Sequence, residues 1–100
     1  MNYNNKLDKV SIVMNVLASY LDIEVNEMNK ILKKKENKYI FLLLLKDYNC
    51  LQKDKVKEIL NIVSDKSIKY NIDKAQEKFL INKEFREMYF EIQDGINKII

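Results

Sequence analysis

The residue types that usually carry catalysis or bind metals are scarce in this sequence. Its 100 residues include no histidine, one cysteine (Cys50) and one glycine (Gly95). Without histidine there is no imidazole base for a serine or cysteine nucleophile, and one cysteine supplies neither a zinc site nor an internal disulfide. A single glycine also excludes a glycine-rich phosphate-binding loop. We therefore expect a protein with no catalytic activity, no metal and no cofactor.

Two pairs of acidic residues have a spacing that brings side chains together on a helix. These pairs are Glu84/Glu87 and Asp54/Glu58, three and four residues apart. No neighbouring residue suggests acid–base catalysis, and acids near helix starts are stabilised by the helix dipole. We interpret both pairs as surface charges.

Lysine is the residue whose distribution suggests a ligand. Residues 30–78 hold thirteen lysines and seven acids, a net charge of +6, whereas residues 1–29 and 79–100 carry −2 and −1. A basic centre is the electrostatic signature of a protein that binds a polyanion such as nucleic acid. The alternative is that these lysines only form a solvated surface, and charge alone does not decide between the two.

Helices must position these lysines, because the sequence has no proline, almost no glycine and apolar residues three or four positions apart. We predict one all-α domain over residues 1–100, a six-helix orthogonal bundle. Asn37, Ser64 and Asn82 are the expected N-caps of three of these helices. Residues 40–45 are apolar throughout, so their helix should lie at the centre. The predicted helices cover residues 6–21, 25–33, 38–48, 53–60, 65–80 and 83–99.

The longest apolar run, residues 40–45, is far shorter than the ~20 residues that span a bilayer. The N-terminal residues, beginning MNYNN, lack the apolar stretch of an export signal. Together with the single cysteine, these features predict a cytoplasmic protein without a membrane partner.

A short helix followed by a turn and a longer helix, over about residues 52–80, is typical of a helix-turn-helix. This stretch resembles the C-terminal DNA-binding domain of the bacterial replication initiator DnaA, whose fold is related to that of the Trp repressor. In that family a Y-L-L-R-E-L helix precedes an S-L-x-E-I-G-x-x-F-G segment, a D-H-T base-reading segment and a long helix. The resemblance implies a helix-turn-helix protein that binds double-stranded DNA. It is carried by residues 43–48, 51–60, 64–68 and 72–75, and by flanking residues 16–28 and 82–86.

The sequence departs from this family at the turn and at the base-reading segment. Asn61 and Ile62 stand where the family has two glycines, and of the two only asparagine tolerates a left-handed conformation. The D-H-T segment falls on residues 64–66, where histidine is absent. We therefore expect a rebuilt turn and altered base reading.

The resemblance and the charge together define the candidate DNA contacts. The first turns of the long helix should face base edges, and its N-terminus with two serines should hold a phosphate. Lysines before the central helix should contact the DNA backbone, and Lys38 lies near the family's minor-groove residue. The candidates that face base edges are Lys66, Ser67, Lys69 and Tyr70, and those that hold a phosphate are Ser64 and Ser67. The candidates for contact with the DNA backbone are Lys33, Lys34, Lys35 and Lys38.

Each candidate also has a structural interpretation. Ser64 is then only a helix cap, the lysines are solvated, and Tyr70 packs against another helix. The corresponding functional alternative is a protein-interaction or structural module that kept the fold and lost DNA recognition. Its contact surface, for a partner or a homodimer, would be the aromatic group on the last helix: Phe85, Tyr89 and Phe90.

Overall fold

The computed structural model describes residues 6–100, with side chains from residue 9 onward, and it contains only helices and connecting turns in this range. The all-α prediction is thereby confirmed. The first five residues, which entered the expectation about an export signal, lie outside the described residues. In chain order the elements are α1 (Lys6–Tyr20), a turn of 3-10 helix (Val25–Glu27), α2 (Met28–Ile31), α3 (Lys35–Asp47), α4 (Lys53–Leu60), α5 (Asp65–Ile81) and α6 (Lys83–Asn97).

Two helices begin at the residues that the sequence predicts, because each has a polar side chain that caps it. The hydroxyl oxygen of Ser64 accepts a hydrogen bond from the Ser67 amide at 3.2 Å. The side-chain oxygen of Asn82 accepts one from the Phe85 amide at 2.9 Å. Each cap satisfies one of the amide groups that the first turn of a helix leaves without a partner.

Three helices end on a left-handed residue, although the chain has almost no glycine. Asp22, Asn49 and Asn61 have φ angles of 57°, 56° and 55°. Asparagine and aspartate adopt this conformation more readily than other side chains. At each end the next amide reaches back five residues, as in the Schellman motif: Ile23 to the Ala18 carbonyl at 3.0 Å, Cys50 to Leu45 at 2.9 Å and Ile62 to Lys57 at 3.0 Å.

The predicted cap of α3 is wrong. This helix begins at Lys35, with Lys34 in an extended conformation at the N-cap position. Asn37 lies inside the first turn, where its side-chain amide donates to the carbonyl of Ile31 at 3.2 Å. Asn37 therefore ties α3 to the end of α2 instead of starting α3.

Two other predicted boundaries also differ from the structure. The helix expected over residues 25–33 is divided between the 3-10 turn and α2, and Val25, expected inside, is exposed. Helix α6 ends at Asn97, so Ile99 lies beyond its apolar stripe and is exposed.

Helix α3 is the centre of the molecule, as its sequence predicts. All six residues from Ile40 to Leu45 are at most 5% exposed, and α3 packs against α1, α5 and α6. Burial of one such side chain contributes about 1.5–3 kcal/mol to stability. One cluster of buried residues contains these six and the inward residues of the other helices.

Helices α3 and α5 pack on each other, and the first half of α5 lies beside the end of α3 and the start of α4. At one end Lys78 of α5 pairs with Glu36 of α3 at 3.4 Å. At the other end Lys69 of α5 shares a groove with Lys46 of α3 and Lys53 of α4. The lysines of three helices therefore meet at one surface.

Candidate nucleic-acid interface

Residues 61–64 join α4 to α5, and an ion pair links the two helices. Lys57 of α4 lies 2.6 Å from the Oδ1 atom of Asp65, the first residue of α5. The hydrogen bond and the charge of Lys57 lower the pKa of the Asp65 carboxyl, and the same contact raises the pKa of Lys57. The left-handed residue that ends α4 is Asn61, whereas Ile62 has a negative φ. Asn61 thus takes the conformation that would otherwise require glycine.

The first half of α5 forms one wall of a groove of about 410 Å³, which we call the lysine groove. Its floor is apolar and includes Leu51, Ile68 and Ile72. Two carboxylates, Asp65 and Asp73, also line it. Four lysines surround this floor: Lys46, Lys53, Lys66 and Lys69.

The lysine groove keeps a positive charge after its ion pairs are considered. Asp65 is paired with Lys57, and Asp73 with Lys69 at 3.0 Å. In the described part of the chain, the other three lysines of the groove make no ion pair. An anionic ligand would therefore meet Lys46, Lys53 and Lys66 without displacing a carboxylate from them.

The two predicted serines lie at the start of α5 and are joined by a hydrogen bond. The Ser64 hydroxyl accepts the amide hydrogen of Ser67, and the Ser67 carbonyl accepts from the Asn71 side chain at 2.7 Å. The structural role of Ser64, capping α5, is thus present. The Ser67 amide is used inside the protein by this cap.

Tyr70 projects from the second turn of α5 and is 60% exposed. It is therefore not part of the buried core. Its ring has the Lys74 ammonium 5.7 Å from the centroid, within the range of a cation–π contact. An exposed aromatic ring beside cations suits stacking on a base or a sugar.

The lysines before the central helix belong to a different surface. Lys33 and Lys38 line a groove of about 480 Å³ together with Asn29, Glu58 and Asn61. Lys34 and Lys35 are exposed outside it, and Lys35 is the first residue of α3. The predicted contacts therefore form two groups, one in the lysine groove and one beside the end of α4.

Sequence reasoning missed Lys46 and Lys53 as members of the lysine groove. Lys46 lies in the last turn of α3 and Lys53 begins α4, so neither is close to Lys66 in the sequence. Their meeting depends on the packing of α3 and α4 against α5, which no local pattern encodes. The excess of lysine over residues 30–78 was the only sequence signal that included them.

The aromatic group of α6 is divided between core and surface. Phe85 and Tyr89 are each 2% exposed, and only Phe90 lies open, at 50%. The Tyr89 hydroxyl donates to the carboxylate of Asp47, and it also lies 3.4 Å from the Leu43 carbonyl. Phe90 alone of the three is therefore available to a partner.

Other features restrict the chemistry of the described residues. Among residues 9–100, whose side chains the structure describes, no group of three or more cysteine, aspartate or glutamate side chains could hold a metal ion. None of the helices in this range has the length and apolar character needed to cross a membrane. Searches of protein-family models, curated proteins and solved structures give no match to this chain.

Proposed function

We propose that this chain is a small, non-catalytic, cytoplasmic protein of the helix-turn-helix type that binds double-stranded DNA. The observation that carries the proposal is the lysine groove along the first half of α5. Four lysines from three helices meet there, and the ring of Tyr70 is 60% exposed on the same half of α5. Phosphate neutralisation by lysine supplies most of the affinity of such proteins for DNA.

In this proposal α5 enters the major groove with its N-terminal half. Lys66, Lys69 and Tyr70 lie on its first two turns, where a recognition helix contacts base edges. Lys46 and Lys53 contact phosphates on one side of α5, and Lys33 and Lys38 contact backbone near the end of α4. Lys34 and Lys35 add charge beside this second site.

The α4–α5 geometry also supports a fold like that of the initiator domain and the Trp repressor. Helix α4, a four-residue turn and α5 follow in the order that the resemblance implies, and Asn61 adopts the left-handed conformation in place of glycine. The base-reading histidine is absent. We therefore propose binding to duplex DNA without the sequence preference of that family.

The test is the salt dependence of binding to mixed-sequence duplex DNA. Binding is measured by fluorescence anisotropy at about 50 and about 200 mM salt. Several phosphate contacts should weaken binding by roughly two orders of magnitude or more between these conditions. Lys66→Gln should reduce affinity at low salt and lower the slope by about one. Lys83→Gln, which removes the same charge from the start of α6, is the matched control and should leave binding unchanged.

The alternative is a protein-interaction module that no longer binds DNA. It predicts no binding to duplex DNA at low salt, and that result would overturn the DNA proposal. Equal effects of Lys66→Gln and Lys83→Gln would show non-specific charge attraction instead of a defined lysine groove.

A further inference from the structure

A second surface, of opposite character, lies where the end of α5 meets α3 and α6. Leu43, Asp47, Gln76, Phe79 and Leu80 line a groove of about 350 Å³, which we call the Leu80 groove. Leu80 is 75% exposed. The Phe79 ring lies 5.5 Å, centroid to centroid, from that of Phe90, which is 50% exposed. Exposed apolar side chains thus lie on both sides of Phe79.

The walls of the Leu80 groove are fixed by contacts with the core. Phe79 packs edge-to-face on Tyr89 with ring centroids 5.4 Å apart, and the Tyr89 hydroxyl donates to Asp47. The Arg86 guanidinium donates to the carbonyls of Phe79 at 2.7 Å and Leu80 at 3.2 Å. A groove held in this way binds a partner at a small entropic cost, because little must be ordered on binding.

The Leu80 groove is acidic, whereas the lysine groove is basic. Asp47 is the one charged residue in its lining. Burial, and then the charges of Asp47 and Asp94, raise the pKa of Tyr48, so both carboxylates lie near the Tyr48 hydroxyl. Asp94 lies one helical turn after Phe90, whereas Glu87, one turn before Phe90, is paired with Lys83 at 3.9 Å. The Arg86 charge is directed at the carbonyl end of α5, where the helix dipole is negative.

We propose that the Leu80 groove binds an amphipathic helix of another protein that presents apolar side chains and a lysine or arginine. Its apolar side chains would cover Phe79, Leu80 and Phe90, and its cation would pair with Asp47. This is the helix-in-groove mode, in which apolar anchors spaced along one helix face fill a groove. The Leu80 groove and the lysine groove have different lining residues except Gln76, so this proposal does not depend on DNA binding.

The probe is a fluorescent peptide of roughly 18 residues, about five helical turns, with leucine along one face and lysine elsewhere. Its anisotropy is measured with the full chain. Leu80→Ser and Phe90→Ser should each weaken binding by roughly tenfold or more, because an apolar contact is lost without a change in charge. Ile81→Ser is the matched control: Ile81 is 77% exposed but lines a different groove, with Tyr39, Lys74 and Lys78. It should leave binding unchanged.

The charge part of the proposal has its own test. Asp47→Asn keeps an acceptor for Tyr89 and should weaken binding of the lysine peptide several-fold. A peptide with glutamate in place of lysine should bind at least tenfold more weakly to the unaltered chain. Far-ultraviolet circular dichroism of each variant verifies that the helices are retained.

Several results would overturn the proposal. These are equal weakening by Ile81→Ser and Leu80→Ser, equal affinity for the two peptides, or no binding of the lysine peptide. Sedimentation that shows a dimer of the chain, dissociated by Leu80→Ser, would identify a second copy as the occupant and would also overturn it.

Discussion

Gly95 of α6 lies directly against Val16 of α1, so that a Cβ atom added at position 95 would be only 3.1 Å from Val16 Cγ1. The φ angle of Gly95 is not positive, so its backbone conformation does not require glycine. The only glycine of the sequence therefore serves the close approach of two helices. Valine is stiff about its first side-chain torsion, and it can retreat little from an added methyl group.

We predict that the effect of Gly95→Ala depends on Val16. Alanine gains about 1 kcal/mol of helix propensity over glycine, but in the unaltered chain the clash with Val16 offsets it. In a Val16→Ala background, Gly95→Ala should change the free energy of unfolding more favourably, by about 1 kcal/mol, than it does in the unaltered chain. Urea denaturation of the two single variants and the double variant measures this coupling. Equal effects of Gly95→Ala in both backgrounds would contradict the packing role.

A second prediction concerns Asn61, the left-handed residue at the end of α4. Asn61→Val should lower the free energy of unfolding by about 1–2 kcal/mol, because a left-handed conformation is costly for a β-branched residue. Asn61→Gly should retain or slightly raise stability, because glycine adopts this conformation freely. Denaturation midpoints of both variants provide the measurement. If the two substitutions destabilised equally, the loss would come from the asparagine side chain and not from the backbone.

A third prediction concerns the Tyr89 hydroxyl, which donates to Asp47 beneath the Leu80 groove. Burial and this hydrogen bond hold the pKa of Tyr89 well above its ordinary value. Tyr89→Phe should cost about 1–2 kcal/mol of stability, since the lost hydrogen bond has a charged acceptor. Tyr20→Phe is the control, because Tyr20 bonds to Glu91 at 2.9 Å on the exposed surface; it should cost less. Thermal or urea unfolding that ranks Tyr20→Phe as more damaging would argue against the prediction.

A fourth prediction concerns pH and the Asp65–Lys57 pair. Lys57 holds the pKa of Asp65 below its usual 3.8. A carboxyl group with a lowered folded pKa adds stability above its unfolded pKa and loses that contribution as pH falls through the folded pKa. Asp65→Asn should therefore be less stable than the unaltered chain at about pH 7 and equally stable at about pH 2. A difference that persists at acid pH would assign the effect to something other than the charge of Asp65.

The sequence predicts helices best where a side chain marks their ends. Ser64 and Asn82 are recognisable N-caps, and α5 and α6 begin after them. Helix α3 has no side-chain cap at Lys34, so no local signal marks its start, and the sequence wrongly predicts Asn37 as its cap. The uniformly apolar residues 40–45 correctly indicated the central helix, because only a helix surrounded by others can bury every face.

The sequence predicts individual residues of the candidate site but not the surface that they form together. Lys66 and Lys69 follow from their place on the second helix of the pair. Lys46 and Lys53 join them only through the packing of α3 and α4 against α5. Likewise, the spacing of Phe85, Tyr89 and Phe90 did not identify which ring would be left open. Phe90 is open because Phe79 and Tyr89 occupy the space on its inner side.

The central position of α3 has a consequence for motion within the folded state. Helices α1, α5 and α6 all pack on it, so its inner amides are shielded from solvent as long as these three stay in place. Exchange of those amides with deuterated water then requires the opening that also unfolds the whole core. The amides of residues 40–45 should report the global free energy of unfolding, while those of α4, at the periphery, should exchange through smaller local openings.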